Sequence, residues 1–452
     1  MNARYFISND YINPKNIFPY KDETIDKLKK KHLNISIFHS NFYMIKYDKK
    51  FKHKLDSTAR LFRSVIFKNN KCVCFSPPKS LSLTTFKTKH KYFNDVKVEK
   101  FIDGTMINLF YDENMNWQIC TRSTLGGNTK YGTDITFREM FIEAAKNCNL
   151  NLDYLDIRFC YSFILQHPKN RIVSLVNNPL IYLIAVYEIT NNSRGTCIEE
   201  LDIHKSLGLI HNNDNNNNNN NNNSINMNKY FGSYLVADYN FKDTYINELL
   251  DAVNRGIKVA PLINKTLYKL KNYRLLDRKY SDKHINNNFY SDMGVVLKCG
   301  NDRTKIRNMT YEYVKMLKGN ENTILARYLR LKSSYQIKEY LKYYPEHKYT
   351  FDEFFISLKN ISSNIFKIYH KYFLVKLLNK QTPNKTNPVD LQSNGEYPDE
   401  YNIHLITIRK QYMKDRKNIT MKKVIEYVNN LHKSSIMHIF NKNKGHIMEI
   451  TS

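Results

Sequence analysis

The stretch EKFIDGT, residues 99–105, places a lysine three residues before an Asp-Gly pair. A lysine amine activated by neighbouring charge is a nucleophile that forms covalent intermediates. Further along, RTKIRN (303–308) carries alternating cations. Alternate residues of a strand lie on one face, so Lys305 and Arg307 are predicted to share a face on which they hold anionic oxygens. These spacings single out one candidate nucleophile and one pair of cations on a shared face.

Five stretches in this order resemble the RNA ligase 1 family of T-even bacteriophage type, in the covalent nucleotidyltransferase superfamily. They are most similar to RNA-ligase-like proteins of large DNA viruses of protists. The stretches are ARLFRSVIF with CFSPPKS (59–80), EKFIDGT (99–105), CYSFILQHPKNRIV (160–173), MGVVLK (293–298) and RTKIRN (303–308). The resemblance implies a chemistry in which a lysine attacks ATP, carboxylates bind a divalent metal and cations hold the phosphates.

Three positions depart from the family at its catalytic residues. The family's nucleophilic lysine opens K-x-D-G, and the register set by Asp103 and Gly104 puts Phe101 in that place. Ser162 and Met293 stand where the family has two glutamates. The resemblance therefore implies a degenerate active site, for which no catalytic residue, metal ligand or cofactor is assigned.

The family's phosphate-holding cations are retained. The resemblance implies that nucleotide or phosphate is bound by Arg63, Asp103, Gly104, Arg171, Lys298, Arg303, Lys305 and Arg307. A cleft that has lost its acids and kept these cations is expected to be strongly positive and to favour phosphates without metal-assisted chemistry. The alternative is that these cations are ordinary surface charge on a basic protein.

Lys100 leaves an enzymatic alternative open. A strand alternates its faces, so the shift of one residue from Phe101 turns Lys100 away from the pocket unless a bulge restores its aim. If a bulge does so, the chain is an active ATP-dependent RNA ligase that uses Lys100 with ATP and Mg²⁺. Otherwise Lys100 is a solvated charge with Glu99 and Asp103 beside it.

The net charge of +28 favours a polyanionic partner, RNA or DNA. Residues 301–452 carry 27 Lys and Arg against 14 Asp and Glu, whereas the first 300 residues carry 43 against 28. The last third of the chain is therefore about twice as dense in net positive charge. The composition does not indicate a protein partner.

The cysteines and the apolar stretches indicate the compartment. Seven scattered cysteines are typical of reduced thiols in an intracellular protein. Cys72 and Cys74 form a C-x-C pair that lacks further zinc ligands and is predicted to be two side chains on one strand face. The longest apolar stretch, IYLIAV at 181–186, is too short to span a bilayer. We expect a soluble intracellular chain, in the host cytoplasm and in the virion if it is viral.

Short aromatic and β-branched runs from about residue 60 to 190 predict strands, and residues 98–123 are predicted to form a hairpin. One helix interrupts them, with a capping box at Thr136 and Glu139. Its apolar face consists of Phe137, Met140, Phe141, Ala144 and Cys148. These patterns indicate an α+β fold. The resemblance specifies a nucleotidyltransferase domain with ATP-grasp-like antiparallel sheets, followed by an all-helical C-terminal domain.

The predicted domains follow from these patterns. Residues 1–55 form an N-terminal α+β lead-in, and 56–309 form the ligase-like nucleotidyltransferase domain, with a disordered Asn-rich insertion at 212–223. Residues 310–452 form a basic helical domain with a linker at 381–401.

Our first interpretation is an RNA-ligase-like protein without catalysis that binds RNA, DNA or nucleotide phosphates through a basic cleft, or serves as a virion component. The alternatives are an active ligase and a protein-interaction scaffold with incidental charge.

Overall fold

A computed structural model of the protein describes residues 2–14, 17, 22–39, 41–90, 96–203, 289–371, 401–415 and 418–450. The chain forms two compact units, Met1–Met316 and Leu317–Ser452. The first unit combines helices with antiparallel sheets, and the described part of the second is helical, so the predicted α+β class is confirmed. The predicted insertion at 212–223 lies outside the described residues, as does the predicted linker at 381–401 apart from Tyr401.

The elements described below are numbered in chain order. The strands are β1 Arg4–Ser8, β2 Leu33–Ile37, β3 Phe42–Tyr47, β4 Val65–Lys68, β5 Lys71–Cys74, β6 Lys97–Lys100, β7 Thr105–Asp112, β8 Asn116–Cys120, β9 Phe159–Gln166, β10 Leu180–Asn192, β11 Gly195–Leu201, β12 Gly294–Cys299 and β13 Asp302–Arg307. The helices are α1 Asp22–Lys30, α2 Leu83–Lys89, α3 Phe137–Asn147, α4 Met309–Lys318, α5 Ile324–Ser333, α6 Ile337–Tyr343, α7 Lys348–Tyr369, α8 Asn402–Asp415, α9 Met421–Asn430 and α10 Lys433–Ile450.

Two antiparallel sheets form the centre of the first unit. One has six strands in the order β1-β11-β10-β9-β7-β8, and the other has four in the order β2-β3-β4-β5. Side chains alternate along β9, so that Tyr161 and Phe163 pack against α3 while Cys160 joins the core between the two sheets. Because β1 pairs with β11 and β3 pairs with β4, the first 55 residues complete both sheets. The domain boundaries at 55 and 309 stay predictions.

The helix α3 has the predicted start and the predicted apolar face. The Thr136 hydroxyl accepts a hydrogen bond from the backbone N–H of Glu139, and the Glu139 carboxylate accepts one from the backbone N–H of Thr136. Met140, Phe141 and Cys148 are buried on the side that faces the six-stranded sheet. The capping box thus fixes where the helix begins, and its apolar spacing fixes which side packs.

A third sheet has the order β13-β12-β6 and carries the predicted motifs. The chain leaves this sheet after β6 and enters the six-stranded sheet at β7, so the predicted hairpin consists of β7 and β8 alone. Gly104 allows this crossing, because its φ is +148° and an added Cβ would lie 2.5 Å from the Leu165 carbonyl oxygen. The crossing decides which residues of EKFIDGT belong to which sheet.

The second unit is built from amphipathic helices. The segment ILARYLRLKSSYQIKEYLKYYP (324–345) forms two helices, α5 and α6, with a break at Tyr335, whose φ is +56°. Aromatic side chains fill the interior, where the Tyr340 and Tyr344 rings stack at 4.6 Å between centroids and Phe351 stacks on Tyr340. None of the described helices is both long and apolar enough to cross a membrane.

The cysteines of the first unit are free thiols. Cys72 and Cys74 share the buried face of β5, as predicted. The Cys74 sulfur lies 3.7 Å from the Cys120 sulfur and 3.6 Å from the Cys160 sulfur, within the core between the two large sheets. Burial raises the pKa of Cys74, as do the neighbouring thiols, so this group remains protonated.

Candidate functional site

One face of the three-stranded sheet collects most of the predicted cations. Directly paired residues of an antiparallel sheet share a face. The register pairs Lys298 with Arg303, and two residues further along it pairs Val296 with Lys305. On the other side of β12, Val296 pairs with Glu99 of β6. We call the part of this surface that carries Glu99, Phe101, Lys298, Arg303, Lys305 and Arg307 the cleft face. Lys97 continues the surface beyond Lys298, where it is exposed and pairs with Asp202 at 3.9 Å.

Phe101 lies on the cleft face, at the position that the resemblance assigned to a nucleophile. Its backbone N–H donates to the Gly294 carbonyl at 2.8 Å, which continues the pairing of β6 with β12 by one residue. The Lys305 amine lies 4.2 Å from the centroid of its ring, and the Arg307 guanidinium carbon lies 5.6 Å from it. An aromatic ring at this distance stabilises a cation by its quadrupole. The ring therefore lies against the two side chains that the sequence predicted to share a face.

Lys100 lies on the opposite face. It pairs with Val295, and the described pairing of β6 with β12 contains no bulge. The Lys100 amine lies 4.0 Å from the Asp292 carboxylate and is 38% exposed. Of its two expected neighbours, Glu99 points to the cleft face and Asp103 is buried. Nothing in this register brings the Lys100 amine towards Lys305.

Asp103 holds the crossing between sheets together. Its Oδ2 accepts hydrogen bonds from the backbone N–H groups of Val173 and Ser174, both at 3.0 Å. Its Oδ1 accepts one from the Tyr311 hydroxyl at 2.5 Å. Arg171 donates from Nε to the Val173 carbonyl at 3.2 Å. Two members of the predicted phosphate-binding set, Asp103 and Arg171, therefore make contacts that position the backbone.

The expectation of a cleft without acids is wrong, because three carboxylates reach the cations of this face. The Lys298 amine lies 2.8 Å from the Glu99 carboxylate and 2.7 Å from the Glu200 carboxylate. The Arg307 guanidinium pairs with Glu312 at 2.5 Å. Burial alone would discharge Lys298, but Glu200 and Glu99 outweigh it and raise the pKa of Lys298 above its ordinary value. Sequence patterns gave no signal for Glu200 or Glu312, because neither belongs to a motif.

The other three cations lie close together. Among the described residues, none of the carboxylates lies within ion-pair distance of Arg63, Arg303 or Lys305. Burial, together with repulsion from Arg303 and Arg63, lowers the pKa of Lys305 to about 5. Burial and the neighbouring Arg303 lower the pKa of Arg63 to about 10. Arg303 is 8% exposed, and its Nε has no hydrogen-bond partner in the described structure. This cluster has the charge and the unsatisfied donor of an anion-binding site.

The cluster extends to cations that the sequence reasoning missed. Burial lowers the pKa of Lys49, and repulsion from Arg122 and Arg63 adds to it. Arg122 donates to the Tyr47 carbonyl at 3.0 Å and lies over the Tyr47 ring. These cations come from separate loops, so spacing along the chain does not reveal them.

Ser162 and Met293 offer no carboxylate where the family has two. Ser162 is fully buried and donates from Oγ to the Asn108 carboxamide oxygen at 2.7 Å. The Asn108 amide nitrogen is buried and has no partner within the described structure. Met293 is 8% exposed. Among the described residues, no group of three or more His, Cys, Asp or Glu side chains is placed to hold a metal.

Comparison with known proteins gives one local similarity in sequence. A segment of 104 residues is 34% identical to an RNA ligase of Rhodothermus phage RM378. The segment makes up 21% of this chain and 23% of that ligase, so the chain matches less than a quarter of the relative's length. No family model matches the sequence. The similarity to RNA ligases is thus weak and local, and the T-even type and viral source stay predictions.

Comparison of structures adds little. A candidate ATP-dependent DNA ligase from Aquifex aeolicus aligns over 76% of this chain and 81% of its own, with 14% identity and a TM-score of 0.35. A score this low does not establish a common fold. The architecture of the first unit therefore rests on its own strand pairing.

Proposed function

We propose that the protein is an RNA-ligase-like nucleic-acid-binding protein that forms no lysine–nucleotide adduct. RNA or DNA, or a nucleotide's phosphates, bind at the cleft face and its neighbouring cations. The observation that carries this is the Phe101 ring beneath the Lys305 amine, in the place of the family's nucleophile. A phenyl ring has no lone pair with which to attack a phosphate.

The charge of the site supports the binding half of the proposal. Repulsion from Arg63 and Arg303 disfavours the proton on Lys305, and an anion bound among the three side chains relieves that repulsion. Arginine is well suited to phosphate because its planar fork donates to two oxygens at once. The net charge of +28 adds long-range attraction for a polyanion.

The local similarity to a phage RNA ligase supports the choice of ligand. On this proposal, the first unit has the nucleotidyltransferase fold of that family, and the basic helical second unit adds contacts with nucleic acid. Association with a virion belongs to the same proposal, as does an intracellular location.

The catalytic half is tested by nucleotide labelling. The full chain is incubated with α-labelled ATP and Mg²⁺, precipitated with acid and examined for a covalently labelled band. We expect no band. A band that disappears in Lys100→Ala and persists in Lys169→Ala would show an active ligase that uses Lys100, and the proposal would be wrong.

The binding half is tested by retention of single-stranded RNA at low and at moderate salt. We expect RNA binding to weaken steeply as the salt concentration rises. The lysine and arginine side chains of the protein displace counterions from the RNA phosphates, and added salt opposes this release. Lys305→Ala and Arg303→Ala are expected to weaken it, whereas Lys169→Ala, which changes an exposed lysine paired with Asp134, serves as the control. If RNA and DNA are not retained even at low salt, the scaffold alternative is preferred.

A further inference from the structure

The three carboxylates that reach the cations of the cleft face are already occupied. Lys298 places one ammonium group between Glu99 and Glu200, 2.8 Å and 2.7 Å from their oxygens. The Glu200 carboxylate also accepts a hydrogen bond from the Tyr5 hydroxyl at 3.3 Å. Glu312 is held by Arg307. A carboxylate oxygen that pairs with a cation at these distances has to release it before that oxygen can bind a metal ion.

The group around Lys298 is mostly buried and firmly held. The side chains of Lys298 and Glu200 are each 15% exposed. Burial opposes charge on Glu200, but the Lys298 ammonium outweighs it and keeps the pKa of Glu200 below its ordinary value. Both groups therefore stay ionised near neutral pH. The group also connects β12 and β6 to β11, so it joins the three-stranded sheet to the six-stranded sheet.

A divalent metal does not fit this arrangement. Mg²⁺ requires near-octahedral oxygen ligands and in nucleotide enzymes combines one or two carboxylates with substrate phosphates. Here the oxygens of Glu99 and Glu200 surround an ammonium group, and the paired Arg303 adds further positive charge beside it. A dication would have to displace Lys298 and approach that guanidinium.

Side chains on the same face supply the charge that a metal would bring. Arg303 has an unpaired Nε, and Lys305 lies under strong repulsion from its cationic neighbours. Bound phosphate would accept hydrogen bonds from both and would restore the proton on Lys305. Charge-assisted hydrogen bonds of this kind are among the strongest in proteins.

We propose that the cleft face binds phosphate groups without a divalent metal, and that Lys298 is the positioning residue that keeps Glu99 and Glu200 from binding one. This inference rests on the proposed function, because it describes how the same site holds its ligand. It departs from the family's use of Mg²⁺ on the strength of residues that belong to this chain.

The first experiment measures ATP binding by calorimetry, with EDTA in one series and MgCl₂ in the other. We expect ATP to bind at least as tightly with EDTA as with Mg²⁺, because chelation by Mg²⁺ removes negative charge from the ligand. Binding only in the presence of Mg²⁺ would overturn the inference and leave the proposed function intact. Absence of ATP binding in both series would overturn the inference, whereas the proposed function would still hold if single-stranded RNA is retained.

The second experiment follows Mn²⁺ binding to the protein alone by electron paramagnetic resonance. We expect no site in the wild type, a new site in Lys298→Met, and loss of that site in the double variant Lys298→Met with Glu200→Gln. Lys298→Met is also expected to weaken binding of metal-free ATP at least tenfold, with recovery when Mg²⁺ is added.

A matched variant separates this role from folding. Lys298→Arg keeps the charge, so it is expected to bind ATP with EDTA and to bind no Mn²⁺. If Lys298→Met fails to fold, Glu200→Gln in the otherwise unchanged chain replaces it, and we expect that variant to retain metal-free ATP binding. A Mn²⁺ site at the cleft face of the wild type, abolished by Glu200→Gln, would show that Lys298 does not exclude the metal.

Discussion

Phe101 shows how one residue changes what a phosphate site can do. Its ring contacts the Lys305 amine, while the neighbouring Lys100 amine points to the other side of the sheet. A lysine at position 101 would project where the ring does now. Ser162 and Met293 would still offer no carboxylate, and Glu99 and Glu200 would still be paired with Lys298.

Phe101→Lys is therefore expected to form no covalent adduct with α-labelled ATP. A single amine is restored, but its activation and the metal chemistry are not. The measurement is acid-stable labelling of the variant, with Phe101→Leu as the control for loss of the ring. A labelled band in Phe101→Lys alone would show that the cleft still contains a competent metal site.

Lys305 is expected to lower the stability of the folded protein, and its proposed role in binding phosphate accounts for its presence. Its pKa is lowered from 10.5 to about 5, mainly by burial. Between these two pH values the unfolded chain binds a proton that the native chain does not, so the contribution of Lys305 to stability rises with pH across this window. Binding sites often contain groups that lower the stability of the fold but serve function, and a buried amine is such a group.

Lys305→Met is expected to be more stable than the wild type at pH 7, with a Tm raised by about 2–4 °C if the change is worth about 1 kcal/mol. The difference in Tm should shrink as the pH approaches 10, where the wild type no longer loses this proton on folding. Lys169→Met, at an exposed position, should leave the Tm unchanged. An unchanged or lower Tm for Lys305→Met at pH 7 would contradict the lowered pKa.

At the scale of elements, the connection from β6 to β7 decides the geometry of the site. The chain changes sheets within four residues, and Asp103 fixes the change through hydrogen bonds to Val173, Ser174 and Tyr311. Asp103 and Gly104 thus have an architectural role that does not depend on catalysis. Gly104 permits the close approach of β9.

Asp103→Asn is expected to destabilise the first unit by about 1–3 kcal/mol, because an amide nitrogen replaces one buried acceptor oxygen and leaves a donor unpaired. The midpoint of urea unfolding measures this change. Asp134→Asn is the matched control, since Asp134 is exposed and pairs only with Lys169 on the surface. Equal midpoints for the two variants would show that the hydrogen bonds of Asp103 contribute little.

At the scale of the whole molecule, the positive charge has two components. One is spread over the surface, and much of it is paired or solvated, as at Lys29 with Asp26. The other is the cluster of Arg63, Arg303 and Lys305, whose members repel one another. Only the second component is expected to show as a residue-specific effect on nucleic-acid binding.

The salt dependence of binding separates these components. For single-stranded RNA, each phosphate contact contributes about 0.7 to the slope of log affinity against log salt. The double variant Arg303→Ala with Lys305→Ala is therefore expected to reduce the slope by about 1.4, and Lys29→Ala by much less. Fluorescence anisotropy with a short labelled RNA measures both slopes. If the double variant and Lys29→Ala have equal slopes, RNA binds outside the cleft face.

The sequence by itself determined the local features, because each depends on neighbours along the chain. Thr136 and Glu139 fixed the start of α3, an aromatic and β-branched run indicated β10, and the spacing of Lys305 and Arg307 placed them on one face. The one-residue offset between Lys100 and Phe101 was also predictable, since a regular strand alternates.

The tertiary structure alone decided the partners of each charge. Glu200 reaches Lys298 from a different sheet, 98 residues away along the chain, and Arg63 approaches Lys305 from another loop. The sequence therefore led to a wrong expectation of a cleft without acids. Whether a carboxylate binds metal or ammonium depends on what lies within about 3 Å of it, and sequence spacing does not encode that distance.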